Sequence, residues 1–314
     1  MRRAILIAGP TASGKSALAL RLADRLAAFG GATIVNADSM QVYRDLRVLT
    51  ARPAPDEQAR HPHRLYGVTG AEEASSAMRW RAQALAALDE IWAAGRWPLV
   101  VGGTGLYFRA LLAGLSPIPD IPDAVRAAAR ARHAGMGNAA FHAELAARDP
   151  EGASRLRPGD SQRVIRAWEV IEATGRPLAS WQSEPGEGLG AETLRFVLLP
   201  DRAVLKARID ARFTAMVGGG ALEEVSALLA RNLDPDLPAL RAVGFRELAA
   251  HIRGEADLAA TVAAGQVATR QLAKRQGTWM RNQMSDWQLI SQQGESLERE
   301  VFANISQSWL TGPR

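Results

Sequence analysis

Residues 9–16 read GPTASGKS and follow directly on the short apolar run AILIA at 4–8. Glycine, four residues, glycine, lysine and serine is the spacing of a loop that cradles phosphate between a buried strand and a helix. Glycines let the backbone wrap so that successive N–H groups face one point, and the helix N-terminus adds the positive end of its dipole. Gly9, Pro10, Thr11, Ala12, Ser13 and Gly14 would form the cradle and Lys15 a point charge, with the Ser16 hydroxyl placed to ligate Mg²⁺. Lysine is scarce in this chain, only Lys15, Lys206 and Lys274 among 38 basic residues, so its presence here is not background. A strand, a phosphate loop and a helix in that order commit the N-terminus to a parallel α/β sheet with ligands at the strands' C-terminal ends.

The loop leaves the phosphate compound open. A GTPase would carry an Asn-Lys-x-Asp motif, and none of the three lysines follows an asparagine. An ATPase would carry an acidic residue at the end of a second strand, for which Asp38 after ATIVNA and Asp201 after RFVLLP are candidates. A small-molecule kinase remains possible on the loop alone.

The 314 residues, 47% hydrophobic, supply one large core or a core with an inserted module. The chain has no cysteine, which excludes disulfides, thiolate metal sites and cysteine nucleophiles and is compatible with a reducing compartment. Arg2 and Arg3 precede an apolar run that stops at Gly9, too short for a secretory leader, and no long apolar stretch appears elsewhere. The expectation is a soluble, cytoplasmic, monomeric protein with no membrane association.

Periodicity predicts a strand over 4–8, a helix over 16–29, a second strand ending at Asp38, a helix closed by Gly95 and a strand through LVVGGTG. After Leu115 the texture changes. Three prolines in SPIPDIPD mark a boundary, and an alanine- and arginine-rich helical stretch runs to the loose SEPGEGLGAE. The chain then divides into a P-loop core, 1–117 with 195–314, and an inserted helical domain, 118–194. RFVLL reads as a return strand, residues 202–282 as mostly helical, and the last thirty or so carry no clear signal. None of the five histidines shows a metal-ligand spacing.

The formal charge is +5. Basic residues gather late, with Arg241, Arg246, Arg253, Arg270, Lys274, Arg275 and Arg281 set against Glu247, Glu255 and Asp257. Such an excess fits a nucleic-acid footprint, and equally a solvated helical face.

Five further segments, in chain order, resemble the tRNA dimethylallyltransferases, which prenylate the adenosine 3′ to the anticodon. They are ADSMQVYR (37–44), VGGTGLYF (101–108), DSQRVIRAWEV (160–170), RAVGFRE (241–247) and ATRQLAKRQGTWMR (268–281). The resemblance spans roughly residues 5 to 281. It implies a P-loop NTPase-like core with an inserted helical domain and a helical C-terminal region, dependence on Mg²⁺, and dimethylallyl diphosphate as donor. The loop would then hold the diphosphate of an allylic leaving group in a site otherwise typical of ATP binding.

By the same resemblance Asp38 is the general base, Thr104 bonds near the reacting nitrogen, and Arg212 joins Lys15 on the diphosphate. Chemistry agrees on the first: the lone pair of adenine N6 is delocalised, and a carboxylate that takes its proton is the natural remedy. The tRNA anticodon stem-loop would meet Asp38, Ser39, Met40, Gln41, Thr104, Arg126, and the run Gln162, Arg163, Val164, Ile165, Arg166. It would also meet Arg241, Ala242, Val243, Gly244, Phe245 and Arg246, then Lys274, Arg275, Gln276, Gly277, Thr278, Trp279, Met280 and Arg281.

Structural alternatives stand beside these roles. Asp38 could be a magnesium-linked carboxylate or a loop cap, Thr104 a helix N-cap, Arg212 a surface charge and Trp279 a core residue. The chain departs from the family where Phe245 replaces a usual tyrosine, where Arg52 replaces a usual lysine, and in HPHRLYGV, which lacks the usual acidic pattern. An adenylate isopentenyltransferase acting on free nucleotide, a kinase and a non-catalytic RNA-binding protein are the competing functions. The basic 268–281 helix and the insertion favour tRNA over the first.

Overall fold

A computed structural model of the chain describes residues 2–184 and 186–310. β1 (Arg3–Ala8), β2 (Ala32–Asn36), β3 (His63–Arg64), β4 (Trp97–Gly102), β5 (Glu192–Leu198) and β6 (Gln288–Ile290) form one sheet in the order β3-β2-β4-β1-β5-β6. Every neighbouring pair is parallel. This is the P-loop NTPase-like α/β sheet that the strand–loop–helix start demands, and β1, β2 and β4 read as unbroken apolar runs because both faces of a parallel sheet are covered.

The chain divides into two compact units, residues up to Leu111 with those from Gly190, and Leu112–Leu189. In the first, α1 (Lys15–Leu26), α2 (Pro55–Arg60), α3 (Ala77–Ala93) and most of α4 (Gly105–Ala113) connect the early strands. In the second lie α5 (Asp123–Arg148), α6 (Pro150–Ser154), α7 (Ser161–Thr174) and α8 (Leu178–Gln182). The chain then re-enters the first unit through β5 and continues as α9 (Arg202–Met216), α10 (Leu222–Ala230), α11 (Phe245–Ile252), α12 (Leu258–Gln283) and α13 (Gly294–Ile305).

The insertion has its own core of Ala129, Phe141, Leu145, Val164, Trp168 and Ile171, where α5 packs along α7. Its ends are joined by the Leu189 N–H, which donates to the Leu112 carbonyl at 3.4 Å. The unit therefore begins before the proline-rich stretch at 116–122 that marks a change of texture in the sequence. Its chain leaves just ahead of β5, which starts at Glu192 instead of 195.

The C-terminal residues belong to the core. Leu297, Val301 and Ile305 of α13, with Trp309 beyond it, pack into the cluster formed by α1 and the sheet, and Trp309 stacks on Trp97 at 5.8 Å. Each such buried side chain stabilises by about 1.5–3 kcal/mol. α9, the bend after it and α10 form a run, Arg202–Ala230, that by length and composition alone could cross a membrane. In the fold it is broken at Gly219 and Gly220, and it is tied to the core unit through Arg212 and Glu224.

The strand ends converge. The Ala37 N–H donates to Val101 O at 2.8 Å, the Gly9 N–H to Gly102 O at 3.3 Å and the Thr104 N–H to Ala37 O at 3.2 Å. A Cβ at Gly102 would lie 1.9 Å from the Ala37 carbonyl oxygen, backbone that cannot yield. Gly102→Ala is expected to push β2 and β4 apart, lowering stability by about 1–3 kcal/mol or more. Urea unfolding followed by circular dichroism measures it, and an unchanged midpoint would contradict the packing described.

Candidate active site

The phosphate loop runs from Gly9 into α1. Ala12 at φ 63° and Gly14 at φ 94° hold left-handed conformations, which turn the amides of the loop inward. The Ser13 N–H donates to Pro10 O at 3.1 Å, and Lys15 Nζ donates to the same carbonyl at 3.3 Å. Desolvation lowers the Lys15 pKa to about 8, the Asp38 carboxylate opposes this, and Arg212 adds to it. Burial also lowers the pKa of Arg212, whose guanidinium remains charged at any working pH. It donates to the Thr11 hydroxyl. Arg212 is thus a partly buried charge held against the phosphate loop, not a surface one. Arg208, one turn earlier on α9, donates to Gln293 at 2.5 Å.

Asp38 sits in a turn two residues past β2. Asn36, fully buried, accepts the Asp38 N–H on Oδ1 at 2.8 Å and donates through Nδ2 to Asp38 O at 2.9 Å and Leu65 O at 3.0 Å. One carboxylate oxygen of Asp38 accepts the Met40 N–H at 3.0 Å. Beneath this turn Trp80 donates to Asn36 O at 2.8 Å and stacks on Tyr107 at 4.2 Å. Burial pushes the Tyr107 phenol up to about 12 and the Tyr66 phenol higher still, with Asp38 contributing to both. The Thr104 hydroxyl turns onto the same loop. It accepts the Ser39 N–H at 3.0 Å and lies 3.3 Å from Ser39 Oγ, so it braces the Asp38 turn and does not cap α4. Asp201 does cap a helix: its carboxylate accepts the Ala203 N–H at 2.7 Å at the start of α9.

Two adjoining clefts meet at Arg212. One, about 380 Å³, is lined by Gly14, Lys15, Ser16, Arg21, Arg208 and Gln293. The other, about 280 Å³, has Thr11, Asp38, Arg212, Arg241, Arg275 and Gln276 as its polar lining and Leu49, Ile209, Phe213, Met216, Val243 and Leu272 as its apolar one. The first suits an anion. The second suits an apolar chain beside a carboxylate.

The expected RNA-facing segments separate by helical phase. On α12 Ala273, Gly277 and Met280 face inward, Lys274, Arg275, Thr278 and Arg281 are exposed, and Gln276 and Trp279 are half-buried, Trp279 packing on Gly105. Arg241 and Arg246 are exposed and Val243 half-buried, whereas Ala242, Gly244 and Phe245 are buried. In the insertion Gln162 and Arg163 are exposed and Val164 is core, while Ile165 and Arg166 are half-buried, Arg166 pairing with Glu169 at 3.5 Å. Arg126, half-buried, donates to Ile121 O at 3.1 Å. Val164, Gly244, Phe245, Gly277 and Met280 are therefore packed into the protein, and Ala242, also buried, lines the second cleft. They are the inward positions of helices and turns whose outward positions carry the charge.

Other residues shape the walls around the second cleft. Gln41 spends its side-chain donors within the loop, on Thr50 O and Ala51 O at 2.8 Å each, and so shapes the cleft wall. Glu224 accepts three consecutive N–H groups, Arg47 at 2.8 Å, Val48 at 2.7 Å and Leu49 at 3.0 Å, and fixes the same wall from α10. Arg52 staples it through Tyr43 O and Arg44 O, both at 2.9 Å. Asn36 carries a legible sign, an asparagine at a strand end two residues before an aspartate; Glu224 carries none. Among the described residues no three His, Cys, Asp or Glu side chains gather as a metal site.

The family model for IPP transferase matches residues 41–283, and that for isopentenyl transferase matches 2–73. A tRNA dimethylallyltransferase of Parvibaculum lavamentivorans is 55% identical over 311 residues, covering 98% of each chain. One from Paramagnetospirillum magneticum is 54% identical, covering 99% of this chain and 98% of its own. A solved structure of a eukaryotic dimethylallyltransferase acting on tRNA superposes with TM-score 0.81 at 25% identity, covering 99% of this chain and 80% of that one. The tRNA isopentenylpyrophosphate transferase of Bacillus halodurans gives 0.69 at 29%, covering 98% and 96%. With this identity over nearly the full length of both chains, and a family model matching residues 41–283, the chain belongs to the tRNA dimethylallyltransferase family.

Proposed function

We propose that this protein transfers the dimethylallyl group of dimethylallyl diphosphate to N6 of the adenosine 3′-adjacent to the anticodon in tRNA, releasing diphosphate. The observation that carries the reading is Arg212, which lines both clefts and so places the anion cradle one side chain away from Asp38. The kinase and free-nucleotide alternatives are not favoured by relatives of this similarity and coverage.

The donor's diphosphate lies in the loop, against its amides, Lys15 and Arg212. Its prenyl chain enters the apolar part of the second cleft, between Leu49, Ile209, Phe213 and Met216. As the bond from N6 to C1 forms, the bond from C1 to the bridging oxygen breaks, and that oxygen carries the electron pair away. Fixed cations and N–H groups aimed at the developing charge stabilise this transition state. Asp38 takes the N6 proton, while Thr104 and Asn36 keep its turn in place. The Ser16 hydroxyl, exposed at the mouth of the loop, fits a hard cation that keeps phosphate and water ligands. Bound there, Mg²⁺ would neutralise charge on the leaving diphosphate.

The target base must leave its stack to reach Asp38. Splayed bases of a loop are read by polar side chains and stacked on arginine planes. Arg241 and Arg275 on the cleft rim, with Lys274, Thr278, Arg281 and Arg246 outside it, supply that surface in the core unit. Gln162 and Arg163 supply it in the insertion. The reading takes the protein to act in the cytoplasm, as a monomer, on tRNA and dimethylallyl diphosphate.

The direct test mixes protein, Mg²⁺, dimethylallyl diphosphate and unmodified tRNA without ATP, then digests the RNA for mass spectrometry. Adenosine carrying one isopentenyl group is expected; unmodified tRNA with prenylated free nucleotide, or ATP consumption when ATP is supplied, would overturn the assignment. The Lys15 pKa of about 8 adds a pH signature. The bound anion favours the ammonium, and the free protein loses it as pH rises through that value. Donor affinity measured by calorimetry should therefore fall above pH 8, with proton uptake on binding, and Lys15→Arg should abolish the trend. A flat profile in the wild type would remove Lys15 from the diphosphate.

A further inference from the structure

Gln276, on α12, lines the second cleft beside Thr11, Asp38 and Arg212, and its side-chain amide is used at both ends. Oε1 accepts the N–H of Thr11, in the phosphate loop, at 2.9 Å. Nε2 donates to the carbonyl of Gly103, in the turn after β4, at 3.1 Å. That turn leads into Thr104, whose hydroxyl braces Ser39 beside the base. A Cβ at Gly103 would lie 2.5 Å from Gln276 Nε2 and 3.3 Å from Asp38 Oδ2, so the amide and the carboxylate close on the same glycine. On the loop side Thr11 is held a second time, by Arg212.

We infer that Gln276 is a positioning residue that fixes the distance between the diphosphate cradle and the Asp38 turn. This role goes beyond the proposed reaction but rests on it. The loop and the turn follow different strands, β1 and β4. The backbone bond from Gly9 to Gly102 joins them at their roots, and Gln276 joins them again farther out, where the substrates meet. The clasp needs one group that accepts from Thr11 and donates to Gly103, which a carboxamide does at any working pH and an ionised carboxylate or a cationic side chain does not. The neighbours Lys274, Arg275 and Thr278 on the same helix are exposed, so the clasp and the RNA-facing charges share one rigid element.

The test compares wild type, Gln276→Ala and Gln276→Glu in single-turnover transfer to tRNA at saturating substrates, with binding of dimethylallyl diphosphate and of tRNA measured separately. Wild type must first show transfer; if it does not, the proposed reaction fails and not this inference alone. Given an active wild type, the alanine variant should lose about 10- to 100-fold in the transfer rate, the scale of a small misplacement of reacting groups. Its affinities for both substrates should change less than about threefold, below the tenfold step that 1.4 kcal/mol represents. The nearly isosteric glutamate variant provides the second readout. Ionised, it faces the Gly103 carbonyl with an acceptor; protonated, it can donate there and still accept from Thr11. Its rate relative to wild type should therefore rise as pH falls from 8 to 6, which a merely structural defect would not produce. Transfer rates equal to wild type, or a loss lodged entirely in substrate affinity, would overturn the inference. So would a glutamate variant whose relative rate ignores pH.

Discussion

The site depends on strand ends that meet without side chains between them. Gly102 passes so close beneath the Ala37 carbonyl that backbone touches backbone, and Gly103 is closed in by Gln276 and Asp38. That approach brings three turns, each at the C-terminal end of a parallel strand, within one side chain of each other. A phosphate loop alone binds an anion. The neighbouring turns set a carboxylate, Asp38, on the cleft that Thr11 and Arg212 also line, the arrangement the proposed reaction uses.

Electrostatics follows from the same crowding. Lys15 and Arg212 are both held below their ordinary pKa by desolvation, and Asp38 opposes the shift in each. Two cations thus share one carboxylate. A diphosphate would bring them further counter-charge. In the proposed reaction the carboxylate that takes the proton would also tune the cations that hold the donor.

The α/β core was legible because its signals are local: an apolar run, a glycine-lysine loop, a helical period. The strand β3 is too short to show periodicity, and β6 with α13 lies in a stretch whose amphipathic pattern only the fold reveals, when Val301 and Ile305 close over α1. In the site, Lys15, Asp38, Thr104 and Arg212 come together as the motifs suggested. Motif segments nevertheless mix two kinds of residue. Within KRQGTWMR the helix turns Gly277 and Met280 inward and Arg275 and Arg281 outward, and a contiguous string cannot display that division. Gln276 and Glu224 act through backbone groups distant in sequence, Thr11 with Gly103 and the amides of 47–49. No local spacing encodes such partners.

The most direct measurement separates holding the donor from transferring it. Asp38→Asn preserves the shape of the side chain and its acceptor for the Met40 N–H but removes the base. Calorimetric titration with dimethylallyl diphosphate and single-turnover transfer to tRNA would be run on the same preparation near pH 7, where Lys15 remains largely charged in the wild type. Donor binding within a few-fold of wild type, with transfer reduced about 10²- to 10⁴-fold, is the predicted result. Transfer at the wild-type rate would contradict the account, since the proton would then leave N6 without Asp38.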